Sequence, residues 1–260
     1  MKPKVLVLKT DGINRDEELA FAFELAGAKS CIVPVNDLRT KKEKIKNFNI
    51  LALPGGFAYG DDIVSGKILA VELTSFFKEE LHTFISRNST AVLGVCNGFQ
   101  ALIRTGILPF RNIGKMDAIL TKNDSCRFEC RWVSVKVEKN SQCLFLKDMP
   151  SETMHYPTAH GEGKFFALKE IIEKIEQQNL VAFRYVDNNG NQTQEYPNNP
   201  NGSLNAIMGI TDLTGRVLGL MPHPECFVRK EQHPNWRRMP NLKSQGLPLF
   251  KGIVNFVKKS

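Results

Sequence analysis

The sequence predicts an α/β fold whose central sheet is mostly parallel, carries helices on both faces and includes an antiparallel section. Three observations predict it. Short, uninterrupted apolar runs recur through the first hundred residues, as in KVLVLK at 4–9 and AVLGVC at 91–96. Strands that are apolar on both sides belong to sheets covered on both faces, which are typically parallel. Helical patterns separate these runs, the alternation that builds βαβ units. After residue 116 the runs change to alternating polarity, which marks strands with one buried face.

The elements follow in order. Residues 4–9 form a first strand, and residues 14–28 a helix capped by Asn14 and ending near Gly27. Leu19, Phe23 and Ala26 give that helix its apolar side, widened by Ala22 and Leu25. CIVPV at 31–35 is a second strand, and NILALPGG at 49–56 a third that ends in a glycine loop. A long helix spans 67–87, a fourth strand 91–96, and a helix about 97–105. Residues 116–140 read as antiparallel strands, and 181–192 as a strand ending in an Asn-Gly hairpin signal. Residues 187–203 are too rich in Asn, Pro and Gly for anything but loop. LNAIMGITD and RVLGLMPH are two further strands, residues 226–245 are irregular, and LPLFKGIVNFVKKS is a closing helix. No internal repeat is present, and residues 1–260 read as one domain.

Composition narrows the function. With 42% hydrophobic and 24% charged residues, the chain is neither disordered nor coiled coil. No apolar run approaches the roughly 20 residues of a membrane span. VLVL after the basic N-terminus is too short for an export signal. The six cysteines form no CxxC pair, so reduced thiols and a cytoplasmic location are expected. Cys126 and Cys130, followed by His155 and His160, fit no common zinc spacing and read as two strand cysteines on one face, so no metal site is expected. The net charge of +8 includes a lysine-rich patch at 39–46. It holds Glu43 and no aromatic, so it reads as a solvated helix face rather than a nucleic-acid surface.

Three motifs carry chemistry. GVCNG at 94–98 has the form of a nucleophile elbow, a tight strand-to-helix turn with small flanking residues. There Cys96 would sit at a helix N-terminus, where the dipole favours thiolate, with the Asn97 amide as an oxyanion donor. A packed, inert cysteine explains the same local sequence equally well. MPHPE at 221–225 places His223 two residues before Glu225 in a stretch stiffened by two prolines. An imidazole so placed can take a thiol proton and later give it to a leaving group, with the carboxylate holding its tautomer. ALPGG at 52–56 offers glycines that admit a ligand close to backbone, with Gly55, Gly56 and Phe57 as the source of a second oxyanion donor. There is no GxxxxGK[ST] and no GxGxxG, so no nucleotide site is visible.

Together, PGG at 54–56, G-x-C-x-G at 94–98 and HPE at 223–225 resemble the class I glutamine amidotransferases. The longer stretches PGGFAYGDD, GVCNGFQALIRTGILP, HGEGKF, NPNGS and IMGITDLTGRVLGLMPHPE are similar to the glutaminase subunits of phosphoribosylformylglycinamidine synthase, over nearly the whole chain. The resemblance implies a flavodoxin-like class I amidotransferase fold with Cys96 as nucleophile, His223 as base and Glu225 as its orienter. It also implies Gln100 and His160 near a glutamine pocket. It implies no cofactor in this chain, with ATP and Mg on a large synthetase subunit, and leaves a small accessory subunit open. Ala58 stands where serine is common, and Cys226 where arginine is common. An amidotransferase for another acceptor, a stand-alone cysteine hydrolase and a non-catalytic binding module are the competing readings.

Overall fold

The computed structural model describes residues 2–260. Eleven strands form: β1 (Lys4–Lys9), β2 (Lys29–Pro34), β3 (Ile50–Leu53), β4 (Ala91–Val95), β5 (Ala118–Thr121), β6 (Glu129–Val137), β7 (Met154–His160), β8 (Lys164–Ala167), β9 (Val181–Tyr185), β10 (Ile207–Thr211) and β11 (Val217–Leu220). Seven helices accompany them: α1 (Asp16–Leu25), α2 (Val35–Arg39), α3 (Lys67–Phe76), α4 (Lys78–Ser86), α5 (Asn97–Arg104), α6 (Lys169–Gln177) and α7 (Leu247–Lys259).

One nine-stranded sheet organises the chain, in the order β2-β1-β3-β4-β11-β10-β9-β6-β7. The pairings from β2 to β11 are parallel, and those from β11 to β7 are antiparallel. The two kinds of strand expected from the sequence thus continue one another in one sheet. β5 and β8 form a separate antiparallel pair. Every residue of β3, β4, β10 and β11 is buried, as expected of strands covered on both faces. No helix among the described residues is long and apolar enough to cross a membrane.

Several boundaries depart from the sequence reading, each for a visible reason. α1 begins at Asp16 without a side-chain cap, so Asn14 is not its N-cap. Residues 13–15 are instead tied to the glycine loop through the Ile13–Gly56 bridge and the Arg15 amide, which donates to the Gly55 carbonyl at 3.3 Å. Leu25 is exposed rather than part of the buried side. The helix expected at 67–87 is two, α3 and α4, broken at Phe77, whose φ of −124° leaves the helical range and whose ring is buried while Phe76 stays exposed. The lysine-rich patch is not a helix face: α2 ends at Arg39 and Lys41 takes a left-handed φ of 59°. Cys126 lies in a turn and only Cys130 in a strand, so they do not share a sheet face. α6, β7 and β8 had no counterpart in the sequence reading. In α6, Ile172 and Ile175 supply a buried side three residues apart, a signal short enough to pass for loop.

The packing of α5 on the sheet sets the geometry of everything that follows. All of its residues from Asn97 to Ile103 are buried. Close approach is possible because Gly94 and Gly98 face each other: a Cβ on Gly94 would lie 2.7 Å from the Gly98 carbonyl, and one on Gly98 would overlap the Leu53 carbonyl at the end of β3. Gly98→Ala must therefore push α5 off the sheet. It is expected to destabilise the fold by about 3 kcal/mol. The melting temperature should fall by about 2–4 °C for each kcal/mol in a chain of this size, which thermal unfolding by circular dichroism will read. An unchanged melting temperature would show that α5 is not seated on β3 as described.

Candidate active site

Three neighbouring parallel strands, β3, β4 and β11, end at the same edge of the sheet. Their register pairs Leu53 with Gly94 and Val95 with Leu220. The segments that leave their carboxyl ends therefore emerge side by side, and they carry Gly55-Gly56, Cys96 and His223. Ligands of open α/β sheets bind at such ends.

Cys96 occupies the turn between β4 and α5 with φ 50° and ψ −107°. A non-glycine residue rarely adopts that conformation, at a cost on the order of 1–3 kcal/mol, unless its surroundings over-determine it. Here they do. Its amide donates to the Leu220 carbonyl at 2.8 Å, and its carbonyl accepts from the Gln100 amide at 3.0 Å. The side chain is buried, and its sulfur lies 3.7 Å from the Ala159 carbonyl oxygen.

His223 follows β11 and is held by its own amide, which donates to the Pro157 carbonyl of β7 at 2.8 Å. Its Nδ1 lies 2.6 Å from Oε1 of Glu225. Glu225 is fully buried, which fixes Nδ1 as the donor and leaves Nε2 for another partner. Burial opposes a charge on this ring, but the Glu225 carboxylate and the Cys96 sulfur outweigh it and raise the imidazole pKa to about 10. The ring packs against the glycine loop: a Cβ on Gly55 would lie 2.6 Å from His223 Cε1 and 3.4 Å from Cys96 Cβ. Only glycine fits between Cys96 and His223.

Backbone amides without an acceptor border this centre on two sides. At the N-terminus of α5, the Asn97 and Gly98 amides precede the first intrahelical bond, which the Gln100 amide makes to Cys96. In the glycine loop, the Phe57 amide is already committed to the Gly12 carbonyl at 2.9 Å. Gly56 is thus the loop amide left to serve. Its φ of 140° and the crowding of a Cβ there by Ile13 and Asn14 require glycine. The Phe57 side chain is exposed and stacks on Phe128, with ring centroids 6.2 Å apart.

Gln100 and His160 are near this centre but engaged with the protein. Gln100 accepts from Asn97 Nδ2 at 3.1 Å and donates through Nε2 to the Glu162 carbonyl at 2.5 Å. It therefore stitches α5 to the loop after β7. His160 is buried, with Nδ1 3.1 Å from Asn123 Oδ1 and Nε2 without a partner. Burial, and then the charge on His223, lower its pKa to about 3, so it stays neutral. Sequence reasoning did not find Asp61, which accepts from Asn97 Nδ2 at 2.9 Å, nor Asn123. Asp61 lies in the quoted PGGFAYGDD run, but nothing in its spacing announces a bond to residue 97. The Pro157 and Ala159 carbonyls leave no side-chain signal at all. Cys126 and Cys130 are exposed and not brought together with His155 and His160 into a ligand group. Cys226, one residue past Glu225, is half-buried, and burial and the Glu225 charge push its thiol pKa up.

A cysteine on a strained strand-to-helix turn, a histidine on the adjacent strand end and a buried glutamate behind it define a triad-type glutamine amidotransferase, and the comparisons place the chain in that class. The CobB/CobQ-like glutamine amidotransferase domain matches residues 2–257. Phosphoribosylformylglycinamidine synthase subunit PurQ of Dehalococcoides mccartyi is 42% identical, covering 99% of each chain. The subunit of the same name from Methanococcus maripaludis strain C5 is 39% identical over the full length of both. The structure of PurLQS from Thermotoga maritima contains a chain that superposes with a TM-score of 0.73 at 26% identity, covering 98% of this chain and 99% of that one. The chain belongs to the phosphoribosylformylglycinamidine synthase subunit PurQ family of glutamine amidotransferases.

Proposed function

We propose that this chain hydrolyses glutamine and hands the ammonia to a separate synthetase subunit, which uses ATP to convert formylglycinamide ribonucleotide to formylglycinamidine ribonucleotide in purine synthesis. The observation that carries the reading is the line from Glu225 through His223 to Cys96, beside free amides at Gly56, Asn97 and Gly98. Family membership over the full length specifies which amidotransferase it is.

The steps follow from the geometry. Nδ1 donates to Glu225, so Nε2 is the nitrogen left to take the thiol proton from Cys96. The thiolate attacks the side-chain amide carbon of glutamine. Its carbonyl oxygen becomes an oxyanion, held by the helix amides and the Gly56 amide. A protonated His223 is the favoured form at neutral pH, so it carries the proton the departing nitrogen needs. The carbon–nitrogen bond breaks and ammonia leaves. Water, deprotonated by His223, then cleaves the glutamyl thioester to glutamate and frees the thiol.

No GxxxxGK[ST] or GxGxxG motif is present in this chain, so ATP, Mg and the acceptor are assigned to the partner. A small accessory subunit completes the assembly. This accords with the name of the Thermotoga maritima complex, in which Q stands beside L and S. Docking of the partner is expected to bring the glutaminase to full speed. The test reconstitutes the chain with its synthetase subunit, formylglycinamide ribonucleotide, ATP and glutamine. Glutamate and formylglycinamidine ribonucleotide should appear in equal amounts. Glutamate without the second product, or amidation of a different acceptor, would sink the reading.

A further inference from the structure

We infer that His223, Glu225 and Cys226 together form an inhibitory site for a thiophilic divalent cation such as zinc. Among the described residues, this is the group of three His, Cys, Asp or Glu side chains gathered closely enough to share an ion, with one ligand atom from each and all of them within 4.8 Å of one another. The ligands come from one 3₁₀ turn, Pro224–Phe227, pinned by the Cys226 amide donating to the His223 carbonyl at 3.1 Å. A second observation points to a ligand here. Oε2 of the fully buried Glu225 has no hydrogen-bond partner, although its twin Oε1 is bonded to the histidine. A bare carboxylate oxygen in the interior is a costly group that a cation would satisfy. No ion is required for the fold, because Oε1 and Nδ1 already hold the turn in the free protein.

The donor set selects the metal. One imidazole nitrogen, one carboxylate oxygen and one thiolate suit zinc or cobalt and exclude magnesium and calcium, which take oxygen donors. Three protein donors leave a fourth position for water. The neighbouring positive charge is Arg15, whose charge is felt at both Cys226 and Glu225. Its guanidinium pairs with Glu18 at 2.8 Å, and its side chain is 41% exposed, so it can yield to an arriving cation.

The consequence for catalysis follows from the tautomer. In the free protein Nδ1 carries a proton toward Glu225, and Nε2 is the nitrogen that exchanges its proton with Cys96 and the leaving group. A cation on Nδ1 displaces that proton to solvent, and the Cys226 thiol loses its own. A neutral imidazole bound through Nδ1 keeps its remaining proton on Nε2. The metal-bound ring has no second proton to spend: giving the one on Nε2 to the leaving nitrogen would leave an imidazolate, and Nε2 cannot accept another from Cys96 or water, so hydrolysis stops. The metal acts on the base without touching the nucleophile.

Cobalt(II) and zinc titrations of the whole chain test this. Cobalt should bind one-to-one, giving the thiolate-to-metal absorption in the near ultraviolet and the strong visible bands of a four-coordinate site. Cys226→Ser should lose the thiolate band, and Cys96→Ala should keep it. Zinc should inhibit glutamine hydrolysis reversibly. Both Cys226→Ser and Cys226→Arg should match the wild-type rate without metal. Each should need at least about tenfold more zinc for the same inhibition. Having two variants guards against one of them failing to fold. The site is refuted if Cys96→Ala loses the band, which would put the metal on the nucleophile. It is refuted equally if both Cys226 variants remain as zinc-sensitive as wild type. The inhibition rests on His223 being the base for glutamine hydrolysis, but the cobalt spectrum does not, so failure of either reading can be told from failure of the other.

Discussion

Cys96→Ala is expected to lower glutamine-dependent synthesis by the reconstituted enzyme at least about a thousandfold, while synthesis from added ammonia keeps its wild-type rate. The split follows from the division of labour. The chain's contribution is a thiol on a strained turn, and no other group at the strand ends can form the acyl intermediate. His160 is buried and neutral, and burial and the Glu225 charge push the Cys226 thiol pKa up. The substitution removes one sulfur atom and keeps the backbone bonds to Leu220 and Gln100 that hold the turn. The fold, and with it the docking of the partner, should survive. Glutamine consumption and both synthetic rates, measured on one preparation, check this. Residual glutamine-dependent turnover near wild type would mean that Cys96 is a packed thiol after all.

Glu225→Gln should reduce the rate of glutamine hydrolysis by about 10²–10⁴-fold while leaving the overall structure in place. The variant amide is nearly the same size. It removes the charge that acts most strongly to raise the His223 pKa, and it weakens the preference for a proton on Nδ1. The sign is clear. In the wild type the imidazole titrates at about 10, above its ordinary 6.5, so it stays charged from acid through neutral pH and loses its proton only as the pH rises through 10. Without the Glu225 charge, burial is opposed by Cys96 alone and the titration moves to lower pH. Histidine NMR titrations should show the wild-type His223 signals flat between pH 6 and 8 and the variant's moving within or closer to that window. A wild-type midpoint near 6.5 would show that the carboxylate does not act on the ring.

Much of the site was legible because its parts are sequence-local. Gly94, Cys96 and Gly98 lie in one turn, and His223 and Glu225 are two residues apart, so their mutual geometry is nearly set by the backbone. Strand character was legible in β1, β3, β4 and β11 for the same reason: a strand buried on both faces writes its burial as a plain apolar run. What failed to show depends on partners far along the chain. Asn14 has the chemistry of a cap, yet it is drawn to the loop at Gly56, and α1 starts later. The break at Phe77 comes from the core claiming one ring of an adjacent Phe pair. The pattern that sets Gln100 near a pocket does not show that its amide is bonded at both ends within the protein. Nothing in a linear pattern says that the Phe57 amide is already spent on Gly12.

The position of β11 between β4 and β10 has a consequence for how the molecule comes into being. The strand that leads to His223 is made last among the eleven, yet it lies against the strand that leads to Cys96. During synthesis, Cys96 leaves the ribosome more than a hundred residues before His223, and the turn it occupies is not pinned until the Leu220 carbonyl arrives to receive its amide. Contacts so distant in sequence close slowly. A growing or truncated chain therefore holds Cys96 without its histidine. The Cys96–His223 pair comes together only when the sheet closes around β11, so completion of the fold and assembly of the pair are one event.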